Sequence, residues 1–115
     1  FSVNILAEAA ALAALEDEDF IAASLETVRL GRLQLTNGLA ALGCRVWPSH
    51  SNFLMFKLPE SRPMDPEAVF NALLEQGVII RRLQSYGLPE LFRVSVGLAE
   101  ENDVFLRDLQ RILER

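Results

Sequence analysis

One cysteine and one histidine, Cys44 and His50, stand in a chain of 115 residues. That scarcity excludes an internal disulfide and a cysteine/histidine zinc cluster, and a reducing cytoplasm is the expected setting. Long apolar runs are missing too. Glu8, Glu16 and Asp17 interrupt the most apolar stretches, well short of the ~20 apolar residues a membrane helix requires. Positive charge is in deficit, with Lys+Arg 11 against Asp+Glu 16 and a net charge of -5, so the chain as a whole offers no footprint for nucleic acid or anionic lipid. The six glycines are scattered and build neither GxxxxGK nor GxGxxG, which removes the familiar phosphate-cradling loops. His50 lies in a turn with no nucleophile-elbow pattern beside it, so a hydrolase triad has no base. It is expected to be a solvent-exposed turn residue. The acidic residues gather at helix starts and in loops, and their spacing makes no catalytic carboxylate pair.

What remains is an ordinary globular composition. Half the residues are hydrophobic and 23% are charged, enough apolar surface for one packed domain of this length. Phe1 opens the chain where a start methionine would stand, without a signal peptide's layout, and a piece of something longer is expected.

Residues 5–15, rich in alanine and leucine, predict a short buried helix. The acidic run Glu16-Asp17-Glu18-Asp19 then suits the positive end of a following helix. From Phe20 to Leu42, the residues Ile21, Leu25, Val28, Leu35, Leu39 and Leu42 draw one apolar stripe, and Gly43 supplies the stop. Arg45–Trp47 and Phe53–Leu58 read as strands of a hairpin. The second is apolar on both faces and is expected to be central and covered on both sides. Asp65-Pro66-Glu67 starts a helix that runs to Gln76. Val78–Arg81 and Leu91–Val96 are the remaining strands, separated by a loop read as a turn rather than an element. Glu100, Glu101 and Asp103 open a last helix whose Phe105, Leu109 and Ile112 share a face. This order predicts a two-layer α+β fold, a small, mostly antiparallel sheet with helices packed mainly on one face.

Arg93 is the sharpest chemical feature. Strand periodicity puts Phe92, Val94 and Val96 on one face and Arg93 on the other, where a guanidinium meets solvent or grips a carboxylate or phosphate. Arg81 and Arg82 end the preceding strand and could join Arg93 at an anion site if the strands pair; otherwise they are a solvated strand end. Asn52 could orient a ligand or tie down its own turn, and Cys44 reads as a small buried hydrophobe.

Taken together, several segments resemble one family. Phe1-Ser2-Val3-Asn4 before an alanine-rich helix, Ser51-Asn52-Phe53-Leu54, Gly77-Val78-Ile79-Ile80-Arg81, Tyr86-Gly87-Leu88-Pro89 and Phe92-Arg93-Val94-Ser95-Val96-Gly97, with Asn102 in the last helix, look like the C-terminal part of histidinol-phosphate aminotransferase. The resemblance runs essentially from end to end. It implies the small domain of a fold-type I enzyme, with the helix at about 18–43 linking it to a large domain that lies upstream.

Function follows from the resemblance as expectation. The whole enzyme would exchange an amino group between L-histidinol phosphate and 2-oxoglutarate on pyridoxal phosphate, as a cytoplasmic homodimer. Arg93 would grip an anionic substrate group, Arg81 would be a second contact to the substrate phosphate, and Tyr86 would lie near the site. Two departures stand out: Arg82 replaces a frequent proline, adding anion contacts, and Leu98 replaces a threonine, removing a helix cap. The Schiff-base lysine and the acidic partner of the cofactor would belong to the large domain. Lys57, the only lysine, is expected to be structural, so this chain alone is expected to be inactive and to bind no cofactor. An aromatic-amino-acid aminotransferase or a threonine-phosphate decarboxylase would share much of the pattern. A non-enzymatic amino-acid-binding module of βαββαβ type is the reading from another class, although two leading helices and no initial strand speak against it. Without a large domain, an exposed apolar surface of more than ~600 Å² would favour self-association.

Overall fold

The computed structural model describes residues 18–115, so the helix expected over residues 5–15 lies outside the described residues. Helix α1 spans Glu18–Ala41, with Glu18 and Asp19 in its first turn, where negative charge meets the positive end of the helix dipole. Gly43 ends it at φ 88°, a left-handed conformation that costs glycine little. Strands β1 (Arg45–Val46) and β2 (Phe53–Lys57) follow, then α2 (Pro66–Glu75), β3 (Arg81–Arg82), a 3₁₀ turn (Gln84–Tyr86), β4 (Leu91–Ser95) and α3 (Ala99–Leu113). Asp65 caps α2 by accepting the Glu67 amide at 3.3 Å, with proline in the first turn, as its sequence demands.

The strands form one antiparallel sheet in the order β1-β2-β4-β3. Alternation along β2 and β4 turns Leu54, Phe56, Phe92 and Val94 to one face, where they bury against Leu35 and Leu39 of α1, Val69 and Leu73 of α2, and Phe105, Leu109 and Ile112 of α3. Phe56 and Phe92 stack at 5.3 Å between centroids, and Phe105 meets Phe56 edge-on at 5.9 Å. The expected α+β fold is therefore present, with all three described helices on one face of the sheet.

Four local expectations are corrected. Strand β2 is central, but only one of its faces is covered by described residues: Phe53 is exposed and Met55 half-buried. Along the apolar stripe of α1 only Leu35 and Leu39 are buried; Ile21, Val28 and Leu42 are half-buried and Leu25 is 66% exposed, so the first half of the helix is not packed into the core. Residues 78–80 do not join the ladder, which holds Arg81 and Arg82 instead. The loop after β3 carries a 3₁₀ turn closed by Gly87 at φ 76°.

At the start of α3, Leu98 offers no side-chain acceptor, and residues inside the helix take over. Glu101 accepts the Leu98 amide at 2.9 Å. Buried Asn102 accepts the Gly97 amide at 2.9 Å and donates to the Gly97 carbonyl and to Gln34 Oε1 at 3.0 and 3.1 Å. Gln34 in turn donates to the Ala99 carbonyl at 3.0 Å, so one polar knot joins α1, α3 and the exit of β4. Among the described residues, no helix is long and apolar enough to cross a membrane.

Candidate functional site

The sheet face that no described helix covers is where the candidate side chains meet. The ladder register sets Arg81 of β3 directly opposite Arg93 of β4, and Arg93 opposite Met55 of β2. Residues directly opposite in antiparallel strands share a face, so two guanidinium groups rise side by side from backbones ~5 Å apart. Neither forms an ion pair among the described residues. Each is instead held by an aromatic ring. Arg93 lies 4.9 Å from the centroid of Phe53, and Arg81 lies 5.9 Å from that of Tyr86. Such contacts fix a cation without neutralising it, and like charges opposite one another destabilise the empty sheet. An anion bridging both is the chemical complement of this arrangement.

The other candidates divide. Tyr86 is brought to the pair by the 3₁₀ turn. Arg82 is not, because adjacent strand residues point to opposite faces: it sits opposite buried Phe92, donates from Nη2 to the Pro89 carbonyl at 3.0 Å, and leaves its buried Nε without a partner among the described residues. The added anion contacts expected from Arg82 are thus absent from the Arg81/Arg93 face. Asn52 is exposed, and its backbone carbonyl accepts the Val96 amide at 2.8 Å; no hydrogen bond ties its side chain among the described residues. That main-chain bond extends the ladder one step beyond β2 and β4.

Lys57 stands at the end of β2 between Glu90 at 3.1 Å and Glu60 at 3.4 Å. Hydrogen bonding and charge from Glu90, then Glu60, raise its pKa above the usual lysine value, which holds the amine protonated and unsuited to attack a carbonyl. Cys44 is buried as expected, and burial pushes its thiol up to about 11. His50 is exposed. The described residues contain no group of three or more histidine, cysteine or acidic side chains suited to a metal ion.

Sequence reasoning overlooked Phe53 as the support of Arg93 and the Gln34–Asn102 knot. The second carried a signal: Asn102 falls in line with Phe105, Leu109 and Ile112 on the buried stripe of α3, and a buried amide there must find partners.

Residues 1–109 match the aminotransferase class I and II family. The chain belongs to that family. Aminotransferases of this class depend on pyridoxal phosphate. Histidinol-phosphate aminotransferase from Oleidesulfovibrio alaskensis is 51% identical over 113 residues, covering 98% of this chain and 30% of that protein. The enzyme of the same name from Nitratidesulfovibrio vulgaris strain Hildenborough is 52% identical, covering 98% of the chain and 29% of its own length. The crystal structure of the histidinol-phosphate aminotransferase from Clostridium acetobutylicum superposes with a TM-score of 0.84 at 28% identity, over 97% of this chain and 34% of that one. The chain thus spans about 30% of the length of these two curated relatives.

Proposed function

We propose that the chain is the C-terminal small domain of a histidinol-phosphate aminotransferase, with α1 as the link to a large domain, and that Arg81 and Arg93 bind the anionic group of the substrate. The reaction of the whole enzyme is transfer of the amino group of L-histidinol phosphate to 2-oxoglutarate, giving imidazole acetol phosphate and L-glutamate. The whole enzyme acts on these small molecules as a cytoplasmic homodimer. The observation that carries this reading is that Arg81 and Arg93 stand directly opposite one another on the sheet face that no described helix covers, without an ion pair among the described residues. A phosphate dianion offers enough oxygens for both forks.

Pyridoxal phosphate, when bound, supplies the electron sink for amino transfer. The residues of this chain do not fit the task of holding it covalently, since its only lysine is fastened between two carboxylates. The chain's contribution is therefore grip and orientation. Arg93, half-buried and backed by Phe53, fixes the anion's position, while exposed Arg81 closes on it from the edge strand.

In the full-length enzyme, Arg93→Gln and Arg81→Gln are each expected to lower kcat/KM for histidinol phosphate by about 10- to 100-fold, as loss of a charge-assisted bond of ~1.5–3 kcal/mol implies. An Arg81→Gln enzyme that turns over histidinol phosphate normally would overturn the assignment. Faster turnover of an aromatic amino acid, or decarboxylation of threonine phosphate, would move the chain to a neighbouring activity of the same fold type. A stand-alone amino-acid-binding module is disfavoured by the family match and by relatives more than three times as long.

A further inference from the structure

The loop that carries Tyr86 is fastened in two different ways along its length. Its first half closes on itself through backbone bonds, Tyr86 N–H to the Leu83 carbonyl at 3.0 Å and Leu88 N–H to the same carbonyl at 3.1 Å. Its second half, Pro89 and Glu90, is exposed; one backbone bond spans it, Leu91 N–H to the Leu88 carbonyl at 3.2 Å, and two cationic side chains from the sheet hold it as well. Arg82 donates to the Pro89 carbonyl at 3.0 Å, and Lys57 meets the Glu90 carboxylate at 3.1 Å. Neither cation belongs to the Arg81/Arg93 pair.

We propose that Arg82 and Lys57 are positioning residues that pin the far end of this loop and so keep Tyr86 against the Arg81 guanidinium. Two features favour this over a plain stabilising role. Arg82 leaves its buried Nε–H without a partner among the described residues, a cost that an apolar side chain of equal length would avoid, so stability alone does not explain an arginine there. The Arg81–Tyr86 contact, at 5.9 Å, lies at the outer edge of the useful range of ~6 Å, so a small drift of the loop ends it. Freed from Tyr86, Arg81 loses the orientation that the opposed pair needs for one anion.

The consequence for catalysis rests on the anion-site reading above; the loop anchor does not. The test uses the full-length enzyme with Arg82→Met, which keeps the apolar stem and removes the donors, Arg82→Lys, which keeps a donor, and Lys57→Met. Arg82→Met and Lys57→Met are expected to raise KM for histidinol phosphate roughly 2- to 5-fold with little change in kcat, and to speed amide exchange in the peptide covering residues 83–91 while core peptides of β2 and α3 stay protected. Arg82→Lys is expected to restore both readouts in part. Faster exchange in the core as well would make the two cations ordinary stabilising residues and overturn the proposal, as would unchanged exchange in residues 83–91. If Arg81→Gln leaves KM unaltered, the anion-site reading fails, and the anchor is then decided by the exchange data alone.

Discussion

Replacing Asn102 with leucine tests whether the polar knot at the exit of β4 holds the fold. Leucine keeps the branching of the side chain and removes three hydrogen bonds: those to the Gly97 amide, the Gly97 carbonyl and Gln34. Each such bond contributes about 1 kcal/mol net, and a polar group left buried without one costs at least that. Gln34 is half-buried and can turn to water, which leaves the two Gly97 groups and a cost of about 2 kcal/mol. For a domain of this size that lowers Tm by on the order of 10 °C. Thermal and urea unfolding of the 115-residue chain followed by circular dichroism measures it. Asn102→Asp sharpens the test, because the carboxylate still accepts the Gly97 amide but donates nothing. Burial raises the pKa of such a carboxyl in the folded state, so the protonated, donating form is favoured there and the deficit against the parent shrinks as pH falls toward and below that raised value. A leucine variant within ~0.5 kcal/mol of the parent, or an aspartate variant whose deficit is flat from pH 4 to 8, would refute the reasoning.

Two further outcomes follow from packing and burial. Gly31→Ala gains about 1 kcal/mol of helix propensity but puts its Cβ into Val96 Cγ1 and 3.1 Å from Asn102 Nδ2; overpacking of ~1–3 kcal/mol outweighs the gain, so net destabilisation in urea is expected, and a stabilised variant would contradict the close approach of α1. Cys44, with its thiol pushed up to about 11, should resist a disulfide reagent in the native chain at pH 8 and react when urea unfolds it; rapid native-state labelling would show that the thiol is not buried.

The pairing of Arg81 with Arg93 was legible because alternation in Leu91–Val96 is strict and the neighbouring apolar run had to pair somewhere. Three features were not, for distinct reasons. Phe53 and Met55 are as apolar as Leu54 and Phe56, and an apolar alternation does not reveal whether its second face meets a helix or the flank of an arginine. Val78 to Ile80 reads as a strand by composition, yet Ile79 is 78% exposed: the run carries the chain over the core before the ladder begins, and pairing is decided by where β4 is available as a partner. The spacing of Leu25 within α1 records a helical face without saying how far the core beneath it reaches. Arg82 shows the same limit at single-residue scale, since strand alternation sends it away from the residue beside it.

Strand β4 interleaves two independent vocabularies. Phe92 and Val94 are read by the helices, Arg93 and Ser95 by whatever lies on the open side. Neighbouring positions therefore answer to different physical demands, and the open-side side chains can be exchanged while the helix-side ones hold the protein together. The four-stranded frame thus leaves every second position of β4 able to change without disturbing the side chains buried against the helices.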